Sequence, residues 1–306
     1  MSVKNFKKSI LSKWQLYLFL LIPVVHVFIF QYIPMAGAQI AFRRYDFLLG
    51  IWGSPWVGLA NFQRLFNLPI FMQIFRNTIV LSVYSLFAGF PLPIILALML
   101  NAFPLLRVKK IFQTVSYMPH FISTAVIVGM TMQLFSPRVG GIGNMFTMIT
   151  GRLMPNIFAS ASNFPHIFVW QGVWMTLGWG SIIYIAALSS VDPELHEAAQ
   201  LDGASRFQRV LHIDYPSILP TVVIMMILSS GSIMNVGFER VFMMQNPLNL
   251  MRSEVISTYV FKVGMVFGIG DFSFATAIGL FNSVINFTVL IIVNLLAGKI
   301  SGTRLW

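Results

Sequence analysis

Six stretches of this chain are apolar for long enough to cross a bilayer, and polar segments separate them. A spanning helix needs about 20 predominantly apolar residues. Runs of that order extend from Trp14 to about Pro34, Met72 to Ala102, Ile111 to Phe135, Phe164 to Ser190, Ser217 to Arg240 and Phe274 to Gly298. Runs of helix length argue against a membrane barrel, whose strands alternate over about 10 residues. The pattern therefore predicts an all-α integral membrane protein with six transmembrane helices. Pro23, Pro34, Pro91 and Pro93 fall inside the runs, where neighbouring helices can satisfy the freed carbonyls. The Gly-, Pro- and Asn-rich stretch 136–163 predicts an outer loop with a short surface helix around Asn144–Thr150.

One polar segment stands out by length. From Glu197 to Pro220 the chain reads EAAQLDGASRFQRVLHIDYPSILP. Leu201, Ala204, Phe207, Val210 and Leu211 recur at spacings that allow short amphipathic helices. Gly203 permits a bend or a positive φ between them. Glu197 and Asp202 are placed to cap nearby backbone N–H groups or to meet cations on a partner. On these features alone the segment is equally well a solvated loop between spans.

Composition sharpens the class. Hydrophobic residues make up 57% and charged residues 9%, against about 25% charged in soluble domains. The net charge of +11 does not point to nucleic acid, because the basic residues lie between the spans, where they orient a membrane protein. Lys4, Lys7, Lys8 and Lys13 precede the first run, Arg107, Lys109 and Lys110 follow the second, Arg206 and Arg209 follow the fourth, and Lys299 and Arg304 follow the last. The longer alternate segments carry fewer: Arg43, Arg44, Arg64, Arg138, Arg152, Arg252 and Lys262. Both termini are expected in the cytoplasm. The first run is too long for the apolar region of a signal peptide, and no small-residue cleavage site follows it. There is no cysteine. No phosphate-binding G-x-x-x-x-G-K-[ST], no G-x-S-x-G elbow and no His/Glu metal pair at i, i+4 is present. The reading is a non-catalytic chain without metal or cofactor of its own.

Polar side chains inside spans are costly and face a cavity or a partner helix. Asn235 and Glu239, four apart, are expected on one face of the fifth helix, and Asn282 and Asn286 on one face of the sixth. Tyr117 and Tyr184 add polar tips beside aromatic faces. These six are candidates for a sugar path, since hydroxyl-rich ligands want amide, carboxylate and aromatic partners. The competing reading is helix–helix hydrogen bonding, worth about 0.6 kcal/mol per contact.

Glu197-Ala198-Ala199, Asp202-Gly203-Ala204, Ile213, Pro216 and Pro220 resemble the EAA loop of ABC importer permeases. Val210 departs from the pattern, standing where that family usually has Phe. Further stretches resemble permeases for complex oligosaccharides: VGLANFQRLF (57–66), Phe75–Asn101, KKIFQTVSYMPHFIS (109–123), NVGFERVFMMQNP (235–247) and FATAIGLFNSVINF (274–287). The resemblance implies a five-helix permease core plus an N-terminal span. Residues 1–71 would hold the cytoplasmic N-terminal segment, first span and outer loop, 72–298 the core with a coupling loop at 191–220, and 299–306 a cytoplasmic tail. Glu197, Ala198, Ala199, Asp202, Gly203, Ala204 and Phe207 would form the contact to a cytoplasmic ATPase dimer, which would bind the ATP and Mg. The other implied partners are a second homologous permease, an extracytoplasmic sugar-binding protein and an oligosaccharide, including uronate-containing chains, in a bacterial inner or plasma membrane. A stand-alone secondary transporter or channel remains the alternative. It calls for inverted repeats or ion-coupling carboxylates, and the sequence offers only Glu239.

Overall fold

A computed structural model describes residues 13–266 and 270–305. The Lys4, Lys7 and Lys8 cluster of the expected cytoplasmic N-terminus lies outside the described residues. The chain is helical almost throughout. Four helices are long and apolar enough to cross a membrane: α1 (Trp14–Phe42), α3 (Phe71–Ala102), α9 (Arg206–Ser230) and α12 (Phe272–Ser301). Two bent pairs also qualify if each is one span. In the first, α4 (Leu106–Phe121) meets α5 (Thr124–Leu134) at 101°. In the second, α7 (Phe164–Leu188) meets α8 (Pro193–Leu201) at 78°. The smaller helices are α2 (Ala60–Phe66), α6 (Gly141–Thr150), α10 (Phe238–Met244) and α11 (Ile256–Val266).

The described residues cluster into two compact units. One comprises those up to Leu68 together with Lys262–Leu280. In it, none of the side chains from Trp14 to Met35 is buried, although nearly all are apolar. A helix apolar on every side and uncovered by protein suits a lipid environment. Beyond it the chain closes a polar turn. Arg43 donates to the carbonyls of Ser54 (2.8 Å) and Trp52 (3.1 Å) and lies over the Trp56 ring. Asn61, at the start of α2, donates to the Ala41 carbonyl at 2.8 Å. Arg64 pairs with Asp271, and the Tyr45 N–H donates to the Ser273 hydroxyl at 2.8 Å.

The second unit runs from Pro69 to Phe261 and resumes at Phe281. Its first core joins α3, α5, α7 and α10 through Leu81, Val128, Phe168, Val169, Val241 and Met244. Its second joins α3, α7 and α9 through Ile94, Ala97, Tyr184, Leu188, Ile218 and Val222. Close approach depends on small residues. A Cβ at Gly178 of α7 would strike the Ser116 backbone, so α4 crosses α7 there. The helix α3 stays helical through Phe90 (φ −75°, ψ −45°), ahead of Pro91 and Pro93. Asn77 on α3 donates to the carbonyls of Met251 and Glu254, and the Thr78 hydroxyl accepts from the Ile256 N–H. These buried groups tie the 251–256 segment to the span.

Two spans depart from the simple pattern. The third is not straight: Pro119 and the turn at Ile122 break it, and Ser123 caps α5 by accepting from the Val126 N–H. The fifth is not continuous to Arg240. The α-helix ends at Ser230, residues 231–237 form turns and irregular backbone, and Gly237 sits at φ +81° before α10 begins. Asn235 and Glu239 therefore share no helix face. The surface helix expected around Asn144–Thr150 is present as Gly141–Thr150.

Candidate functional site

Two polar regions of the second unit hold the candidate residues. The first is the hairpin of α8 and α9. Asp192 caps α8 by accepting from the Glu194 N–H at 2.9 Å, and Pro193 opens the helix where its missing N–H costs nothing. The other end closes on Gly203 at φ +79°. The Ala204 N–H donates to the Ala199 carbonyl (2.8 Å) and the Gly203 N–H to Gln200 (3.1 Å), the paired bonds of a left-handed helix stop. Ser205 then starts α9 with a reciprocal cap. Its N–H donates to Gln208 Oε1 at 2.7 Å, and its hydroxyl accepts from the Gln208 N–H at 3.3 Å. The bend expected at Gly203 is thus present. The caps are Asp192 and Ser205; the carboxylates of Glu197 and Asp202 serve as neither.

The hairpin is anchored from behind. Asp214 is 2% exposed and closes a wide helical turn over Val210–Asp214. It accepts from Asn101 Nδ2 on α3 at 3.2 Å and lies 3.2 Å from His196 Nε2 on α8. Three elements meet at one carboxylate. Asn101, His196 and Asp214 also line a 500 Å³ recess with Glu197, Arg206 and Arg209. Sequence reading placed Asp214 in the loop but gave it no partner, and it passed over His196. No local signal joins residues 18 apart. In front, Ala198, Asp202, Leu201 and Phe207 face outward, with Leu201 90% and Phe207 75% exposed. Ala199 and Ala204 are half-buried. An exposed Phe and Leu on a multiply capped turn form an apolar knob.

The second region is a 480 Å³ cavity among α3, α7 and the broken end of α9. Asn235 and Tyr184 line it, together with Trp179, Ser82, Ser229 and Arg240. An adjoining cavity of 420 Å³ shares Ser85, Thr176, Gly237 and Arg240 and includes Glu239. The other candidates fall elsewhere. Tyr117 is half-buried on α4 and lines neither cavity. Asn282 and Asn286 both donate to Asn235 Oδ1, at 3.1 and 3.3 Å, while Asn286 Oδ1 accepts from the Met234 N–H at 2.9 Å. These two asparagines satisfy the backbone and side chain of the broken span, the helix–helix role weighed against them in the sequence. Arg240 was missed because a single arginine at the expected end of a span reads as an interface residue.

Residues 89–302 match the family described as binding-protein-dependent transport system inner membrane component. The chain is 40% identical to Protein LplB of Bacillus subtilis (strain 168), over 94% of this chain and 89% of the relative. It is 38% identical to the polygalacturonan/rhamnogalacturonan transport system permease protein YteP of the same organism, over 95% and 90%. A crystal structure of a bacterial ABC transporter involved in import of the acidic polysaccharide alginate contains a chain that superposes with a TM-score of 0.87 at 35% identity, covering 97% of this chain and 99% of that one. A crystal structure of a bacterial alginate ABC transporter in complex with an alginate pentasaccharide-bound periplasmic protein also contains a chain that superposes with a TM-score of 0.87, at 34% identity, covering 97% of this chain and 99% of that one. With its capped hairpin and broken fifth span in place, this multi-pass chain belongs to the family of binding-protein-dependent transport system inner membrane components.

Proposed function

We propose that this chain is a permease subunit of an ATP-driven, binding-protein-dependent ABC importer for an oligosaccharide cut from a polysaccharide and bearing uronate units. The names of the relatives, for polygalacturonan and rhamnogalacturonan in one case and alginate in another, support the substrate class. A second homologous permease completes the path, and a loaded extracytoplasmic protein delivers the sugar. A separate cytoplasmic ATPase dimer binds ATP and Mg, grips Glu197 to Phe207, and drives the switch between inward- and outward-facing states. Both termini are cytoplasmic. Asn235, Tyr184 and Glu239 belong to the sugar path, whereas Asn282 and Asn286 brace it and Tyr117 lies off it.

The observation that carries this reading is the hairpin. A lever must be stiff, because moving a two-state equilibrium from one side to the other takes about 5.5 kcal/mol of differential binding. Here each helix end is capped, the turn is held by two backbone bonds, and Asp214 fastens the base to α3 and α8. The outward knob of Leu201 and Phe207 is left uncovered. A stand-alone secondary transporter has no use for such a knob.

The test is purification of the chain from its native membrane, followed by sugar-stimulated ATPase assay of the associated proteins. Recovery of an ATPase and a second permease, with hydrolysis stimulated by the loaded binding protein, is expected. Recovery of this chain alone, active in transport without ATP, would overturn the reading.

A further inference from the structure

Arg240 is a cation in a place where cations are costly. Its guanidinium carbon lies 3.9 Å from the centroid of the Phe168 ring. On another side it rests against the bare backbone of α7 at Gly172, where an added Cβ would fall inside the guanidinium. Phe168 itself is fully buried. The sequence thus supplies a glycine and an aromatic face that hold one arginine head at one spot. Among the described residues no carboxylate lies within ion-pair distance of it, and it donates no hydrogen bond. Structural arginines inside proteins are paired. This one instead lines both cavities of the site.

The surrounding groups are poised in the same way. Ser82 is 6% exposed, lines the larger cavity, and its buried hydroxyl has no partner; the buried hydroxyl of Ser85, which lines both cavities, has none either. Buried polar atoms without partners are rare and call for an explanation. Trp179 contributes an aromatic side chain to the wall and is stacked with His120 at 4.5 Å. Hydroxyl donors, an aromatic face and one guanidinium together fit a sugar ring that bears a carboxylate.

We infer that Arg240 is the specificity-determining residue that takes the carboxylate of an acidic sugar in this cavity, with Ser82 and Ser85 bonding the same ring. The inference rests on the sugar-import reading and gives that site its substrate chemistry. A guanidinium offers paired N–H donors that match a carboxylate edge-on, and here it lies over the Phe168 ring and against Gly172 while lining both cavities. The charge count favours a monoanion over a phosphate. Among the described residues Arg240 is the single cation lining either cavity, and Glu239, in the smaller one, repels a second negative charge carried on the same group. Glu239 does not neutralise Arg240 itself, since it lies beyond 4 Å and on the exposed side of α10.

The experiment uses the complete complex of both permeases and the ATPase, in nanodiscs, held with Mg-ATP and vanadate and without the binding protein. Equilibrium dialysis measures binding of labelled trigalacturonate and of its methyl ester, which keeps the rings and removes the charge. The wild type is expected to favour the acid by about ten- to a hundred-fold, the scale of a charge-assisted hydrogen-bonded pair. Arg240→Gln should bind acid and ester alike, with ester affinity unchanged. Gly172→Ala, which keeps the arginine but pushes its head away, should lose most of the preference. Glucose 6-phosphate should not compete at matched ionic strength; competition would replace the carboxylate by a phosphate and overturn the assignment. If the wild type binds acid and ester equally, or Arg240→Gln weakens both alike or disrupts assembly with the second permease, Arg240 is structural or pairs with that subunit. If the wild type binds neither form, the sugar-path reading falls with it.

Discussion

The α8–α9 hairpin and the broken end of α9 are both interruptions of apolar helix, and they are built in opposite ways. The hairpin is local: every bond that shapes its tip joins residues within five positions, Ala204 to Ala199, Gly203 to Gln200, Ser205 to Gln208. The broken span is held from a distance. Met234 and Asn235 find their partners on α12, about fifty residues on, and Arg240 finds its ring and its glycine on α7. A lever has to keep its shape while it is pushed, so a self-contained fold serves it. A path has to form where several helices meet, so its polar groups answer to neighbours.

The comparison breaks most sharply at Gly203. At φ +79° a side chain is disfavoured, though Asp tolerates this region better than most, and around Gly203 there is open space, so the main effect of an acidic side chain is the charge it adds to the exposed turn. Gly203→Asp is expected to leave the complex assembled and to abolish transport, measured as labelled oligosaccharide uptake in proteoliposomes. Normal uptake by this variant would sink the lever. Next in size is the anchor behind the hairpin. Asp214→Ala removes the partner of the half-buried donors of Asn101 and His196, at a cost of about 1.5–3 kcal/mol for bonds to a charged group. Thermal unfolding in nanodiscs should show a lower midpoint, and ATPase activity should become less dependent on loaded binding protein. An unchanged midpoint would mean that the three elements hold without Asp214.

For the path, the matching test is Asn286→Ala. It leaves the buried Met234 N–H without its acceptor, a loss of about 1–3 kcal/mol. Stability should fall, while the ratio of affinities for acid and neutral sugar stays as it was, because Asn286 braces the cavity and does not line it. A change in that ratio would return Asn286 to the sugar path.

The same contrast explains how much could be read from the chain. The apolar runs were legible because burial in lipid imposes a length and a polarity; the bend in the third and the break in the fifth were not, because they answer to neighbouring helices. The bend of the hairpin was legible because Gly203 marks its own turn; its caps were not, since Asp192 and Ser205 hold the helix starts where Glu197 and Asp202 were expected. The 101° break between α4 and α5 was less so: Pro119 lies within an apolar run, and only the crossing of α4 over Gly178 shows where the chain must turn. Asn235 and Glu239 looked like one face because their spacing is four, but that spacing carries meaning only inside a helix, and Gly231 and Gly237 bracket its absence. Arg240 was illegible for the same reason. Its role depends on Gly172 and Phe168, which nothing in the local sequence joins to it.

The smallest effect separates stiffness from mere presence of the loop. Ser205→Ala removes one half of the reciprocal cap at the start of α9 and leaves the Gln208 N–H at an exposed helix end. Such a cap contributes about 1 kcal/mol, so the hairpin persists in most molecules but frays at the turn beside Phe207. Global stability and sugar binding should barely move. Coupling should move more, since force passes through this turn: transport per ATP hydrolysed is expected to fall while basal hydrolysis holds. Ser205→Asp, which preserves the acceptor, should restore the ratio. If the alanine variant couples as well as the wild type, the tip need not be rigid, and the stiffness that matters lies at Asp214 instead.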